Sequence, residues 1–121
     1  MANLQTFTDK DNGKPFFIQS LTEPILVKLT GNQTTGYAWQ VAKSLVVEKT
    51  GEDTVTGEHF VIDRTYEAKS GVGAGGVFVF KCTPIKALSP GEYYYLKFVY
   101  RRPWESENDA ENIMYTLKLR A

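Results

Sequence analysis

The chain has 121 residues, 42% of them hydrophobic and 13% aromatic, which suits one domain with a substantial core and is too apolar for an intrinsically disordered chain. Lysine plus arginine number 14, aspartate plus glutamate also number 14, and the formal net charge is therefore zero. A neutral chain lacks the bulk attraction that brings proteins to nucleic acids or anionic membranes, so we expect a single domain over residues 1–121 with neither as its partner.

The chain begins with a polar stretch, residues 1–14, that we expect to be loosely ordered. This stretch has no basic segment followed by an apolar run, which a secretory signal peptide requires. No apolar run in the chain approaches the roughly 20 residues that a membrane-spanning helix needs. We therefore expect a location in the cytoplasm or in an intracellular vesicle, and a secreted chain that had lost its leader would present the same sequence.

Most of the remaining chain alternates between apolar and polar residues with a period of two, which is the pattern of half-buried β-strands. The clearest runs lie at residues 25–30, 77–82, 93–100 and 113–120. Turn signals rich in glycine, asparagine and proline separate these runs, and no window carries a helical apolar stripe. Short strands without helices predict an all-β fold, an antiparallel β-sandwich or barrel.

The residues that usually carry catalysis are scarce. The chain has one histidine, His59, and one cysteine, Cys82, so it has no internal disulfide, and nothing in the sequence brings the two together as a nucleophile and its base. Two such residues are also too few for a zinc site. The glycines of residues 71–76 match a dinucleotide-binding fingerprint, but a strand follows them where that motif needs a helix. We predict no enzyme, no metal and no cofactor.

Three short segments interrupt or cap the predicted strands, and we name them by their composition. They are the threonine segment Asn32-Gln33-Thr34-Thr35-Gly36, the glycine segment Gly73-Ala74-Gly75-Gly76 and the tryptophan segment Arg102-Pro103-Trp104. A rigid β scaffold that presents such loops is a common arrangement for binding a partner.

Each segment has a physical property that suits binding, and each has a plainer alternative. The threonine segment is uncharged and narrow, so it can enter a cleft without burying a charge; the alternative is an ordinary hairpin loop. The glycine segment is almost bare backbone, which permits close approach and pairing with another chain; the alternative is a flexible turn. The tryptophan segment contains the residue types most enriched at interface hot spots.

The two tryptophans are predicted to lie in different environments. Trp39 alternates with Tyr37 and Val41, so we expect it in the core, and a buried tryptophan on a central strand is typical of immunoglobulin-like sandwiches. Trp104 has polar neighbours on both sides, so we expect it at the surface; the alternative is a side chain folded back over the sandwich.

The three segments resemble motifs of the chagasin family, the protozoan and bacterial inhibitors of papain-like cysteine proteases. Family members carry Asn-Pro-Thr-Thr-Gly-Tyr-x-Trp, Gly-x-Gly-Gly and Arg-Pro-Trp, and this chain matches them at residues 32–39, 73–76 and 102–104, in the same order. The resemblance runs from Leu26 to Leu119. It implies an immunoglobulin-like β-sandwich whose three loops lie at one end, with the threonine loop in the active-site cleft and the other two gripping its sides.

On this resemblance we expect a reversible, tight-binding and monomeric inhibitor of papain-like cysteine proteases, of the same cell or of a host. The chain departs from the family at Gln33, where family members have proline, so we expect a slightly looser threonine loop. Two alternatives remain at this stage. One is a carbohydrate-binding or adhesion sandwich, and the other is a structural immunoglobulin-like module.

Overall fold

A computed structural model of the chain describes residues 5–11, 13, 15–18, 22–31, 36–51, 53–68, 75–86, 92–102, 104–106 and 110–119. These residues form ten strands: β1 Gln5–Thr8, β2 Pro15–Ile18, β3 Ile25–Gly31, β4 Ala38–Val41, β5 Val46–Lys49, β6 Thr54–Gly57, β7 Phe60–Ala68, β8 Gly76–Pro84, β9 Tyr93–Arg101 and β10 Glu111–Leu119. Single 3-10 turns occupy Asp9–Asp11 and Lys43–Leu45. No helix in the described ranges is long and apolar enough to cross a membrane.

The strands form two sheets. Sheet A has six strands in the order β1-β3-β8-β7-β6-β5, and sheet B has four in the order β2-β10-β9-β4. Neighbouring strands are antiparallel except at one edge of each sheet, where β1 joins β3 and β2 joins β10 in parallel. The prediction of an all-β, mainly antiparallel fold is therefore confirmed.

The core lies between the two sheets and is built from the apolar positions of the predicted alternation. The residues that the four clearest predicted strands contribute to the core cluster are Ile25, Val27 and Leu29 in β3, Phe78, Phe80 and Cys82 in β8, Tyr94, Leu96 and Phe98 in β9, and Ile113, Tyr115 and Leu117 in β10. The rings of Phe80 and Phe98, one from each sheet, have centroids 4.5 Å apart. Burial of a large apolar side chain stabilises the fold by about 1.5–3 kcal/mol. Contacts between the sheets, such as that of Phe80 with Phe98, therefore hold the sandwich together.

The N-terminal stretch differs from the expectation of loose order over Gln5–Thr8, which form strand β1. Phe7 is 2% exposed, and its ring stacks on that of Tyr115 with centroids 5.6 Å apart. The hydroxyl of Tyr115 donates a hydrogen bond to the carbonyl oxygen of Thr8 at 2.6 Å. A strand this short carries a single apolar residue that reaches the core, so alternation in the sequence cannot reveal it. The burial of Phe7 provides the apolar contact that stabilises β1 against the sandwich.

Trp39 lies in the core, as predicted, and it links the two sheets. Its side chain is 3% exposed, and its indole N–H donates to the carbonyl oxygen of Thr30 in β3 at 3.0 Å. On sheet B its ring lies against Tyr100 of β9, with centroids 5.0 Å apart. One side chain therefore fixes the end of β3 relative to the end of β9.

We expect Trp39→Ala to lower the free energy of unfolding by about 3–5 kcal/mol, because it removes a large buried side chain and leaves a cavity. Trp39→Phe should cost less, about 1–3 kcal/mol, since it mainly strands the carbonyl group of Thr30. Urea denaturation measures both values. The matched control is Val47→Ala, because Val47 is 75% exposed, and it should change stability by no more than about 0.5 kcal/mol. An alanine at position 39 that cost as little as the control would contradict the packing described here.

Candidate functional site

The strand ends that flank the three segments lie at one end of the sandwich. In sheet A, the register of β3 and β8 ends at the pair Gly31 and Gly76. In sheet B, the register of β4 and β9 ends at the pair Ala38 and Arg101. Because Trp39 ties these two strand ends together, both pairs lie at the same end of the molecule. We call this end the loop pole.

Seven of the predicted binding residues lie outside the described residues: Asn32, Gln33, Thr34, Thr35, Gly73, Ala74 and Pro103. The other five are Gly36, Gly75, Gly76, Arg102 and Trp104, and the structure describes all of them at or beside the loop pole. Their role in binding a protease stays a prediction.

Two of the described glycines have backbone conformations that other residues rarely adopt. Gly36 has φ 86° and Gly75 has φ 75°, both in the left-handed region. Each stands where a predicted binding segment meets the fold, Gly36 two residues before β4 and Gly75 one residue before β8. A side chain at either position would strain the backbone, so the glycines set the direction in which each segment leaves the sandwich.

Gly76 is required for a different reason, which is space. A β-carbon at this position would lie 2.5 Å from the carbonyl oxygen of Glu67 and 2.6 Å from the hydroxyl oxygen of Tyr66. Tyr66 in turn packs on Phe78, with ring centroids 4.7 Å apart. The glycine segment therefore enters strand β8 as bare backbone pressed against a fixed aromatic side chain.

The tryptophan segment belongs to a closed turn that begins at Arg102 and ends at Glu105, and Glu105 takes part in each of the three hydrogen bonds that close it. The backbone N–H of Glu105 donates to the carbonyl oxygen of Arg102 at 3.1 Å, and the N–H of Arg102 donates to Oε1 of Glu105 at 3.1 Å. Arg101 adds a third bond from Nη1 to the carbonyl oxygen of Glu105 at 2.7 Å. Trp104 occupies the third position of this turn. These bonds restrict the backbone that carries the indole.

The guanidinium of Arg102 lies close to two aromatic rings, that of Tyr37, which follows the threonine segment, and that of Trp104 in its own segment. Its central carbon is 4.6 Å from the ring centroid of Tyr37 and 5.8 Å from that of Trp104. A β-carbon placed on Gly36 would lie 3.9 Å from Cγ of the same arginine. Arg102 therefore joins the end of the threonine segment to the tryptophan segment.

Trp104 itself is exposed, as predicted. Its side chain is 76% accessible, the largest exposed fraction among the exposed large apolar side chains of the described residues. The alternative, an indole folded back over the sandwich, does not fit this exposure. An ordered aromatic surface that faces solvent costs little conformational entropy when it is covered by a partner.

Sequence reasoning did not identify Tyr37 or Glu105 as parts of this site. The sequence indicates Tyr37 only as a strand residue and as part of the motif match at residues 32–39, and Glu105 lies just beyond the three segments. For Glu105 a signal exists, because Arg-Pro-Trp-Glu places proline at the second position of a four-residue turn, where proline is favoured. For Tyr37 the signal is tertiary, since its partner is 65 residues further along the chain.

Cys82 and His59 do not form a catalytic pair in this structure. Cys82 is fully buried, and burial together with the charge of Asp63 raises the pKa of its thiol far above the ordinary value, so it stays protonated. His59 is partly exposed beside β7 and meets the ring of Tyr94 edge to face at 4.8 Å. Among the described residues, no group of three or more potential metal ligands comes together.

We expect Tyr37→Leu to loosen Arg102 and Trp104 while the fold is kept, because leucine fills similar space without the ring that attracts the guanidinium. The lost attraction is about 0.5–1 kcal/mol at a partly exposed site. Nitrogen-15 relaxation of the Arg102 Nε–H and the Trp104 indole N–H should show lower order parameters. Tyr93→Leu is the control, since it removes a ring that holds Lys118 at 5.1 Å and should leave both groups unchanged. Order parameters that Tyr37→Leu left unaltered would show that the stacked arrangement does not restrain the loop.

A family model and several solved structures match this chain. The family model is that of the chagasin family peptidase inhibitors, I42, and it matches residues 20–119. No curated protein matches the chain significantly. The family match supports the resemblance read from the three segments and favours a peptidase inhibitor over the carbohydrate-binding and structural alternatives and over an enzyme.

Three solved structures share the fold over nearly the whole chain. The cysteine protease inhibitor EhICP2 from Entamoeba histolytica is 22% identical, with a TM-score of 0.71 over 97% of this chain and 96% of its own. Amebosin is 24% identical, with a TM-score of 0.66, and the match covers 98% of this chain and 100% of Amebosin. PbICP-C, solved in complex with falcipain-2, is 17% identical, with a TM-score of 0.58, and the match covers 99% of this chain and 92% of PbICP-C.

These neighbours confirm the predicted fold class, an immunoglobulin-like β-sandwich with mainly antiparallel sheets. The family model covers 100 of the 121 residues, counting from 20 to 119, and includes all three predicted binding segments. The chain therefore belongs to the chagasin family of peptidase inhibitors.

Proposed function

We propose that this protein is a reversible, tight-binding inhibitor of papain-like cysteine proteases and that it covers the active-site cleft with the loop pole. The observation that carries the proposal is that the strand ends flanking the three segments lie at one pole, where an exposed Trp104 stands on a closed turn. The threonine segment would enter the cleft, and the glycine and tryptophan segments would bind its two walls. The inhibitor would act as a single chain.

The described part of the loop pole is held in place before any partner arrives. Three hydrogen bonds close the turn that carries Trp104, and Arg102 is stacked on Tyr37. Less conformational entropy is lost when a preformed surface binds, so more of the contact energy appears as affinity. This property suits an inhibitor that must compete with peptide substrates.

The proposal also accounts for how such a protein occupies a protease without being cut. Cleavage requires a peptide carbonyl group held in near-attack geometry at the nucleophile. A loop wedge fixed by the sandwich on both sides can fill the cleft without offering a carbonyl group in that position. The threonine segment carries no charge, so it can be buried in the cleft without the cost of desolvating an ion.

Two structural neighbours support the choice of target. EhICP2 is a cysteine protease inhibitor, and PbICP-C was solved bound to falcipain-2. We carry this target class to the present chain because it shares their fold, belongs to a peptidase-inhibitor family and has matching segments in the same order.

We expect titration of papain with this protein to abolish peptide hydrolysis at a stoichiometric ratio. Trp104→Ala should weaken inhibition by about 2 kcal/mol or more, roughly 30-fold in the inhibition constant. The variant loses the contact that the exposed indole makes with one wall of the protease's active-site cleft. The matched control is Phe17→Ala, since Phe17 is also a half-exposed aromatic residue, 51% accessible, but pairs with Lys118 far from the loop pole.

The two variants separate the proposal from general damage to the fold. Inhibition that survived Trp104→Ala at full strength would contradict the role given to the tryptophan segment. The wild-type protein failing to inhibit papain at any ratio would contradict the target class.

A further inference from the structure

At the end of the sandwich opposite the loop pole, strand β9 has no neighbour on one side within the part of the chain that the structure describes. Strand β4 ends at Val41, which pairs with Phe98. The last bond from that side runs from the N–H of Ala42 to the carbonyl oxygen of Lys97 at 2.9 Å. The chain then turns through Lys43–Leu45 and joins sheet A as β5. The first half of β9, residues 93–96, is therefore an open sheet edge among the described residues.

The register shows which backbone groups face this edge. Because the carbonyl group of Lys97 points towards β4, the backbone groups of Tyr95 and Tyr93 point to the same side. Those of Tyr94 and Leu96 point the other way, towards β10. In the described part of the chain, the N–H and C=O groups of Tyr93 and Tyr95 have no hydrogen-bond partner on the open side. Such an edge is a template for another strand.

An apolar groove runs beside the open edge, between sheet B and the β5–β6 hairpin of sheet A. Its volume is about 150 Å³, and its apolar lining includes Leu45, Val47, Phe60, Ile62, Tyr94 and Leu96. Side chains at its rim are unusually exposed for their type: Val47 is 75% accessible, and Tyr93 and Tyr95 are each 52% accessible. The groove has room for one or two apolar side chains of an added strand.

The charge of the groove is set by Glu58, whose side chain is 80% exposed. Its Oε2 lies 3.9 Å from Nε2 of His59, and the described lining contains no lysine or arginine. A basic side chain on a ligand would therefore meet an acceptor at the rim.

We propose that this edge binds an extended peptide segment of a partner protein by β-strand addition. The peptide backbone pairs with Tyr93 and Tyr95, every second side chain is apolar and enters the groove, and a basic residue meets Glu58. The site goes beyond the proposed inhibition of proteases, because it lies at the other end of the sandwich. A protease at the loop pole leaves it accessible, so the inhibitor can be tethered while it is bound.

A second copy of this chain is a poorer occupant than a foreign peptide. Pairing of two identical edges would join only the four residues 93–96 of each copy. It would also offer no lysine or arginine from the groove lining to meet Glu58.

The first test uses the synthetic peptide acetyl-Lys-Val-Thr-Val-Thr-Val-amide as the probe, titrated into the nitrogen-15-labelled full chain. We expect chemical-shift changes at Tyr93–Leu96 and at Gly57 and Glu58, and slower amide exchange at Tyr93 and Tyr95. A control peptide with alternate backbone nitrogens methylated should bind at least about tenfold more weakly, since it cannot pair with the edge. Absence of binding at millimolar peptide, or changes confined to the loop pole, would overturn the proposal.

The second test uses Tyr95→Pro, which removes an N–H that none of the ten described strands uses. Proline is tolerated at such edge positions, so the variant should fold and inhibit papain as the wild type does, while its affinity for the peptide falls about tenfold or more. Glu58→Gln should lower the affinity severalfold. If Tyr95→Pro fails to fold, the two peptides on the wild type decide the question.

Two outcomes would refute the assignment of the edge. In one, Tyr95→Pro binds the peptide as tightly as the wild type. In the other, the Tyr93 and Tyr95 amides are protected without peptide in a concentration-dependent dimer, and the edge then belongs to a second copy. Failure of papain inhibition would leave the peptide result standing, so the two proposals are distinguishable.

Discussion

The structure depends on a column of aromatic contacts that runs from the core to the loop pole. The ring centroids of buried Trp39 and Tyr100 are 5.0 Å apart, and those of Tyr100 and Tyr37 are 5.3 Å apart. Tyr37 contacts the guanidinium of Arg102, which also lies near the ring of Trp104. The column begins where the sheets are tied together and ends at the most exposed indole. Movement of the surface tryptophan is therefore restrained by residues whose positions the core fixes.

This arrangement reconciles two requirements that usually conflict at a binding surface. Affinity favours large exposed aromatic groups, but such groups lose side-chain entropy when they are immobilised by a partner. Here the entropy is lost during folding, because the turn around Glu105 and the stacked Arg102 hold the segment before binding. The sandwich is thus the part of the molecule that positions the loops, and in the proposed complex the three segments make the contacts.

The sequence predicted the parts of this arrangement that follow from local patterns. Strands β3, β8, β9 and β10 were predictable because each is long enough for alternation to select its buried face, and the two tryptophans were distinguished by their neighbours. Strand β1 was not, because Phe7 is its one buried residue and a single position shows no alternation. The sequence does not predict the contact of Tyr37 with Arg102 or the open edge of β9. Both depend on where the pairing of β4 with β9 begins and ends, which is a tertiary feature.

The most direct test of the account is amide hydrogen exchange of this protein, alone and in complex with an inactive papain whose catalytic cysteine is replaced by alanine. The account predicts slower exchange at Gly36, Gly75 and Gly76 and around Arg102 and Trp104, with unchanged exchange at the opposite end, including residues 93–96. Protection that appeared at that opposite end, with the loop pole unaffected, would contradict it.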